Sequence, residues 1–462
     1  MDFKQIVEGY REAMVADLQK LIAIRSVEGA KEGDMPFGAA VHEALESTLS
    51  LGASMGFGTK NVDNLAGHIE MGTGHELIGV LGHVDIVPEG KDWDYDPFGG
   101  QVVDGKLYGR GANDDKGPII SALYAMKALK DAGVDVNKRI RLILGTNEET
   151  GWAGITHYFK NEEHPTMGFS PDADFPAIHG EMGILVSDFK ASFEDTVDDG
   201  GIEILSAKGG HAANMVPDYA EAVIKTNGKA IAHIAEGYNK DRGDIITLEE
   251  DGDRTLVKAT GVSAHGSMPK LGVNAVSHLL CFLDALDLQI GDATNFVRHY
   301  VRLIGLEYNG QSIGVGFEDQ YNKLVFNVGV LKMDQKEAKL GINIRYPITM
   351  KLQEVYDGMD KYLLHANWTH REVDHLGPIF LEPDHPLIEN LMSVYTEITG
   401  DTSKPITIGG GTYARAAKNL VAFGPMFPGQ EETAHQKNEY IAVDDLVRCA
   451  HIYANALYKL TR

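Results

Sequence analysis

The chain is poor in cysteine: it has two in 462 residues, Cys281 and Cys449. Each lies in an apolar, helix-like stretch and no Cys-x-x-Cys pair occurs. That excludes a disulfide scaffold and points to a reducing compartment. No uninterrupted apolar run approaches the ~20 residues needed to span a bilayer, so no membrane helix is expected. Positive charge is scarce, with 42 Lys and Arg against 67 Asp and Glu and a formal net charge of -25. Such a surface argues against nucleic acid or anionic membrane as a partner, because both need a positive face. The stretch MDFKQIVEGYREAMVADLQKLIAI carries Phe3, Ile6, Val7, Tyr10, Met14, Leu18 and Ile22 at helical spacing among acids. It reads as an amphipathic helix and not as a signal peptide. A cytoplasmic protein is expected.

Several short motifs are missing or out of context. Gly52-Ala53-Ser54-Met55-Gly56 has GxSxG spacing, but a helix precedes it where a nucleophile elbow needs a strand. His42-Glu43 and His75-Glu76 are followed by Glu46 and Gly79 where HExxH needs its second histidine. Gly409-Gly410-Gly411 lacks the GKS/T or GxGxxG company of a phosphate loop. It is read as a backbone loop facing substrate.

What is present is an alternation of element types. A chain this long exceeds one core, so two or three domains are expected. Strands over Asn64–Glu70, Glu76–Val87 and Arg139–Gly145 alternate with helices over Phe37–Leu51, Ile119–Ala132 and Ala153–Lys160. This is the pattern of a mostly parallel sheet sandwiched by helices. After residue 183 the texture changes. Gly201–Ser206, Ile245–Glu249, Thr255–Ala259, Val315–Phe317, Leu324–Leu331 and Ala338–Tyr346 alternate like antiparallel strands. Helices are predicted between them over Tyr219–Ile234, Asn274–Leu286 and Leu352–His365. The βα style returns with a helix at Pro386–Ile398, a strand entering a glycine loop at Ile406–Tyr413 and a closing helix at Val443–Leu460. The fold class is therefore α/β, split over residues 1–183 and 379–462, with an α+β domain inserted at 184–378. Within the insert, Ala207-Lys208-Gly209-Gly210-His211 and Gly261-Val262-Ser263-Ala264-His265 are both read as a strand, a Gly/His turn and a following helix. They suggest two related halves.

The chemistry collects at strand ends. The apolar run Leu77–Leu81 leads into Gly82-His83-Val84-Asp85, and residues two apart on a strand share a face. A short strand at Lys106–Tyr108 leads into Asn113-Asp114-Asp115-Lys116-Gly117, with Pro118 suited to a first helical turn. Arg139–Gly145 ends in Thr146-Asn147-Glu148-Glu149, Ser170-Pro171-Asp172-Ala173-Asp174 follows, and the loop Val421–Glu439 carries His435. Open α/β sheets bind ligands at such ends. Carboxylates with imidazole form a ligand set for Zn2+, Mn2+ or Co2+. Singly, each acid reads as a solvated loop residue; the combination carries the argument. Consecutive residues such as Glu148 and Glu149 diverge in extended or turn geometry, so one can bind metal while the other faces water.

In order, LGHVDIVP, YGRGANDDKGP, GTNEETGW, SPDADFP and AHQKNE resemble the co-catalytic dimetal peptidases, which include carboxypeptidases, aminoacylases, desuccinylases and dipeptidases. The likeness covers nearly the whole chain, with NMVPDYAEA and VSAHGSMPKLGVNA in the insert, and is nearest to the bacterial dipeptidases. It implies two divalent ions, Zn2+ first and Mn2+ or Co2+ as alternatives. Asp114 would bridge them, Glu149 and His435 would hold one, and His83 and Asp172 the other, with Asp174 as the neighbour that could be confused with Asp172. Glu148 is implied as general base and Asp85 as the acid that orients His83. A cis peptide bond is implied between Asp114 and Asp115. The insert becomes a lid in which His265 stabilises an oxyanion, while Asn214, Arg345 and the backbone at Gly410 bind the substrate's terminal carboxylate. A lid of two halves implies that no partner subunit need supply it, so a monomer is expected and a dimer is the alternative. The expected activity is a dipeptidase for unblocked dipeptides. An N-acyl-amino-acid or succinyl-amine amidohydrolase is the alternative within the family, separated by the need for a free amine. A catalytically silent metal- or peptide-binding relative is the alternative outside it, and the presence of Glu148 argues against that.

Overall fold

The computed structural model describes residues 3–226 and 229–462. Two compact units divide the chain. The first comprises Met1–Gly180, Leu381–Ile406 and Gly411–Arg462; the second comprises Glu181–Phe380 and Thr407–Gly410.

The first unit is built on Leu77–His83, which is buried along its whole length. Its neighbour Arg139–Gly145 is buried from Ile140 onward. Both sequences are apolar throughout, as a strand covered on both faces requires. In order across the sheet run Gly58–Val62, Ala66–Met71, Arg139–Gly145, Leu77–His83, Met167–Ser170 and Leu420–Ala422. The last four are mutually parallel, with His83 opposite Gly145 in register. Their carboxyl ends therefore open in one direction. Helices Lys116–Asp131 and Val443–Leu460 pack together over this sheet. Val443–Leu460 buries Leu446, Val447, Ala450, Ala454 and Leu457 at helical spacing. Each large apolar side chain so buried contributes about 1.5–3 kcal/mol. Helix Ala39–Ser54 ends at the serine of the GxSxG segment, whose Oγ donates to Leu51 O at 2.7 Å. That serine closes a helix and is no nucleophile.

The second unit is an antiparallel sheet. Its strands run Ile246–Asp251, Arg254–Thr260, Tyr219–Lys225, Glu203–Gly209, Val325–Met333, Glu337–Tyr346, Gly183–Ser192 and Trp368–Leu376. Helices Ala275–Asp284, Asp292–Leu303 and Leu352–His365 share its apolar core.

Several sequence expectations fail here. The helix expected over Tyr219–Ile234 is a strand at Tyr219–Lys225, followed by a short helix at Ala232–Asn239. Ala220, Ala222 and Ile224 alternate inward, so the period is two, and pairing on both sides overrides the helical propensity of Ala and Glu. For the same reason the first of the two similar Gly/His segments leads into a strand and only the second into a helix. The strand expected at Val315–Phe317 is loop. Gly310 and Gly314 on its approach have φ of 65° and 89°, which turn the chain out of extension. Ile406–Tyr413 also shortens to a strand at Ile406–Ile408, with a 3-10 turn at Tyr413–Ala416. Among the described residues no helix is long and apolar enough to cross a membrane.

Candidate active site

At the parallel strand ends the first unit gathers His83, Asp114, Glu149, Asp172 and His435. His83 Nε2 lies 3.1 Å from Asp114 Oδ1, and His435 Nε2 lies 3.0 Å from Asp114 Oδ2. One carboxylate thus has an imidazole on each oxygen. His435 Nε2 is also 3.0 Å from Glu149 Oε2, and His83 Nε2 is 4.0 Å from Asp172 Oδ2. Asp172, not Asp174, approaches the imidazole; the carboxyl of Asp174 is raised by burial and then by the charge of Glu432. The peptide bond between Asp114 and Asp115 is cis. A cavity of about 220 Å³ opens among Asn113, Asp114, Glu148, Glu149, Asp172 and His435. Larger hollows, of about 720 Å³ beside Lys4 and Arg448 and about 780 Å³ on the second unit's sheet, bring no such set together.

The electrostatics call for cations. Burial acts to raise the Asp114 carboxyl, but hydrogen bonds from His435 and His83 overcome it and hold Asp114 below the usual carboxylate range. Hydrogen bonds to Asp114 and Glu149 lift His435 to about 10. Burial and then the charge of Asp114 push the Asp172 carboxyl well up, and burial pushes Glu148 up to about 7. So many acids around two imidazoles are disfavoured in low dielectric unless positive charge joins them. One ligand atom each from His83, Asp114 and Glu149 fall within 4.8 Å of one another, the reach of a single ion. Nitrogen and hard oxygen donors suit Zn2+, Mn2+ or Co2+. His83 Nδ1 lies 3.0 Å from the Asp85 carbonyl, which fixes the ring with Nε2 toward the cluster. His83, Asp114 and Glu149 fit a divalent metal ion.

Asp85 does more than face His83. Its carboxylate is 3.4 Å from His83 Nδ1, and it accepts the backbone N–H of Glu148 at 3.1 Å and of Glu149 at 3.2 Å. The turn that parts the two glutamates is held by that grip. Glu149 meets His435, while the Glu148 carboxylate accepts from the indole N–H of Trp152 at 3.1 Å.

Sequence reasoning missed Glu439. This fully buried carboxylate accepts from Arg110 Nη1 at 2.6 Å and from the backbone N–H groups of Asn113 at 2.9 Å and Asp114 at 3.1 Å. It anchors the main chain that presents Asp114. Its place four residues after His435 in AHQKNE was the available signal.

The second unit gathers the other expected residues. Arg345 is 5% exposed, and it donates from Nε to Asn343 Oδ1 at 2.8 Å and from Nη1 to Gly409 O at 2.9 Å. This brings the loop of Gly410 to it. The charge of Arg345, after burial, lowers the pKa of His265. His265 Nδ1 accepts the Ser267 backbone N–H at 3.2 Å, and Gly266 donates its N–H to Asn214 O at 2.7 Å. Asn327, also missed from sequence, donates from Nδ2 to Ala213 O at 2.8 Å and Met215 O at 2.9 Å. It holds the loop that carries Asn214 from both sides.

Comparison with known proteins identifies the family. A Bacillus subtilis protein named "Putative dipeptidase YtjP" is 40% identical over 463 residues, 98% of each chain. A Staphylococcus epidermidis protein of the same description is 39% identical over 473 residues, 99% of each chain. The fold is shared with human carnosine dipeptidase 1, with a TM-score of 0.59 and 13% identity over 99% of this chain and 98% of that one. The profile of Peptidase family M20/M25/M40 matches residues 79–459. With most of the chain inside that profile and full-length relatives near 40% identity, the chain is an enzyme of peptidase family M20/M25/M40.

Proposed function

We propose that the chain is a dinuclear metal-dependent dipeptidase acting on unblocked dipeptides. The parting of Glu148 from Glu149 carries this reading. Glu149 turns to His435 and Asp114. Glu148 is held aside by Trp152 at the wall of the same cavity. One ion would be held by Asp114, Glu149 and His435, and the other by Asp114, His83 and Asp172, with Zn2+ as the first choice. When bound, the ions would supply polarisation of the scissile carbonyl and acidification of the attacking water.

Glu148 takes the proton from that water and hands it to the leaving amine. A carboxylate at the cavity wall, held by Trp152 and turned away from His435, is placed for both halves of that exchange. His265, with Nδ1 occupied by the Ser267 N–H, presents Nε2 as donor to the developing oxyanion. Arg345 meets the substrate's terminal carboxylate, with Asn214 and the backbone at Gly410. A guanidinium binds a carboxylate along fixed directions, so the clamp also measures length. The carboxylate of a tripeptide falls beyond it by ~3.3 Å of extended chain. We further propose that the second unit serves as a lid in cis on a monomer. The two free thiols fit a cytoplasmic setting.

The test is a panel of free, N-acetylated and amidated dipeptides on metal-loaded protein. Turnover confined to free dipeptides, lost on chelation and restored by Zn2+, Mn2+ or Co2+, is expected. Preference for N-acetylated substrates would overturn the reading in favour of an amidohydrolase. Full activity in protein free of metal by elemental analysis would overturn the metal role.

A further inference from the structure

Trp152 opens the helix Ala153–Asn161 in the left-handed region, with φ 62° and ψ 15°. Bulky side chains rarely adopt that conformation. Its backbone N–H donates to Asn147 O at 2.9 Å, which closes the loop carrying Glu148 and Glu149. Its indole Nε1 then reaches back to Glu148 Oε1 at 3.1 Å. The ring is braced from behind. It meets Tyr413 edge to face with centroids 5.4 Å apart, and Tyr413, fully buried, meets His83 the same way at 6.0 Å. Gly145 at the strand end makes room for this brace, because a Cβ there would lie 2.1 Å from the Tyr413 hydroxyl. An aromatic chain thus runs from the His83 imidazole to the Glu148 carboxylate. Among the described residues no Lys or Arg forms an ion pair with Glu148.

We infer that Trp152 is a positioning residue for Glu148: its indole N–H fixes Oε1, aims the carboxylate at the attacking water and keeps it out of the ligand set of Glu149 and His435. The inference rests on the reading of Glu148 as the base. A neutral donor suits the task. A lysine or arginine there would hold the carboxylate in its charged form and weaken it as a proton acceptor. The indole sets direction and adds no net charge.

Trp152→Phe keeps a ring against Tyr413 and removes the N–H. A fall in kcat on the order of tenfold is expected from losing a hydrogen bond to a charged group. KM, metal stoichiometry and metal affinity by calorimetry should stay within about twofold, because no ligand or substrate contact is lost. In a Glu148→Ala background the same substitution should add nothing, since its effect runs through Glu148. Benzothienylalanine at position 152 keeps the bicyclic shape without the donor. It should reproduce the loss even if phenylalanine packs poorly. Unchanged kcat in both variants overturns the inference. So does loss of bound metal, or an equal further loss in the Glu148→Ala background, because either makes Trp152 purely architectural. Wild-type metal-loaded protein that hydrolyses no dipeptide would sink the reading of Glu148 and this inference with it. Wild-type turnover with unchanged variants sinks the inference alone.

Discussion

His83 and His265 are both imidazoles beside a glycine, yet the first unit buries one completely and the second leaves the other exposed. His83 is fixed by strand register, by the Asp85 carbonyl on Nδ1 and by its own backbone N–H, which donates to Asp115 at 3.1 Å. His265 is held by Ser267 of its own loop and by a backbone bridge to Met215 on the loop that carries Asn214. The first arrangement suits a centre whose geometry must stand before any substrate arrives. The second suits groups that take up position when a ligand does. Damage to the first unit's network should therefore appear in chemistry, metal and stability, and damage to the second in recognition, with the proposed oxyanion contact of His265 as the one place where the second also reaches the chemistry.

The sharpest test of that division is Glu148→Ala. If Glu148 is the proposed base, turnover should fall by about 10²–10⁴-fold, the range of general-base catalysis, with metal content unchanged. Elemental analysis beside steady-state kinetics checks it, and loss of a metal would make Glu148 a ligand. Next in size is Glu439→Ala, which strands the buried Arg110 guanidinium and two backbone N–H groups. Breaking one side of a buried pair costs about 3–5 kcal/mol, so the denaturation midpoint and metal affinity should drop together. A folded variant with normal metal affinity would show that Asp114 needs no anchor. Under the proposed clamp, Arg345→Met should lower kcat/KM for free dipeptides by about 10²-fold and narrow the gap to their amides, the scale of losing a buried charge partner. Wild-type efficiency in that variant would place the clamp elsewhere. Asn327→Ala should have the smallest effect. It frees two carbonyls behind Asn214 and should raise KM by about three- to tenfold with kcat little changed, the scale of ordinary hydrogen bonds. An effect on kcat alone would blur the contrast between the units.

Legibility in the sequence followed the same divide. Leu77–His83 and Arg139–Gly145 announce themselves because strands buried on both faces must be apolar along their length. Ligand candidates stand out because parallel topology puts His83, Glu149 and Asp172 within a few residues of such strands. Trp368–Leu376, with the sequence WTHREVDHL, gave no such signal. It is an edge strand, largely exposed after Trp368, and its polar face carries no period to read. Tyr219–Lys225 misled because its small and acidic residues favour helix in isolation and only its sheet partners decide otherwise. Glu439 and Asn327 were hidden for another reason. Their partners lie far off in the chain, 326 residues away for Asn113 and 114 for Ala213, and no local pattern encodes such a pairing.

Glu148 and Glu149 are the same amino acid, one peptide unit apart, and in isolation they would be interchangeable reagents. The Asp85 carboxylate removes that symmetry by clasping both of their amide hydrogens, which locks the intervening peptide plane and sends the side chains to different neighbours. Under the proposed mechanism, the division of labour between proton carrier and metal holder is then written into the main chain. Chemical identity at the two positions is not enough. Asp85→Asn keeps the size of the clasp but leaves one carbonyl oxygen to do the work of two carboxylate oxygens. It would loosen the distinction between two carboxylates that it never alters.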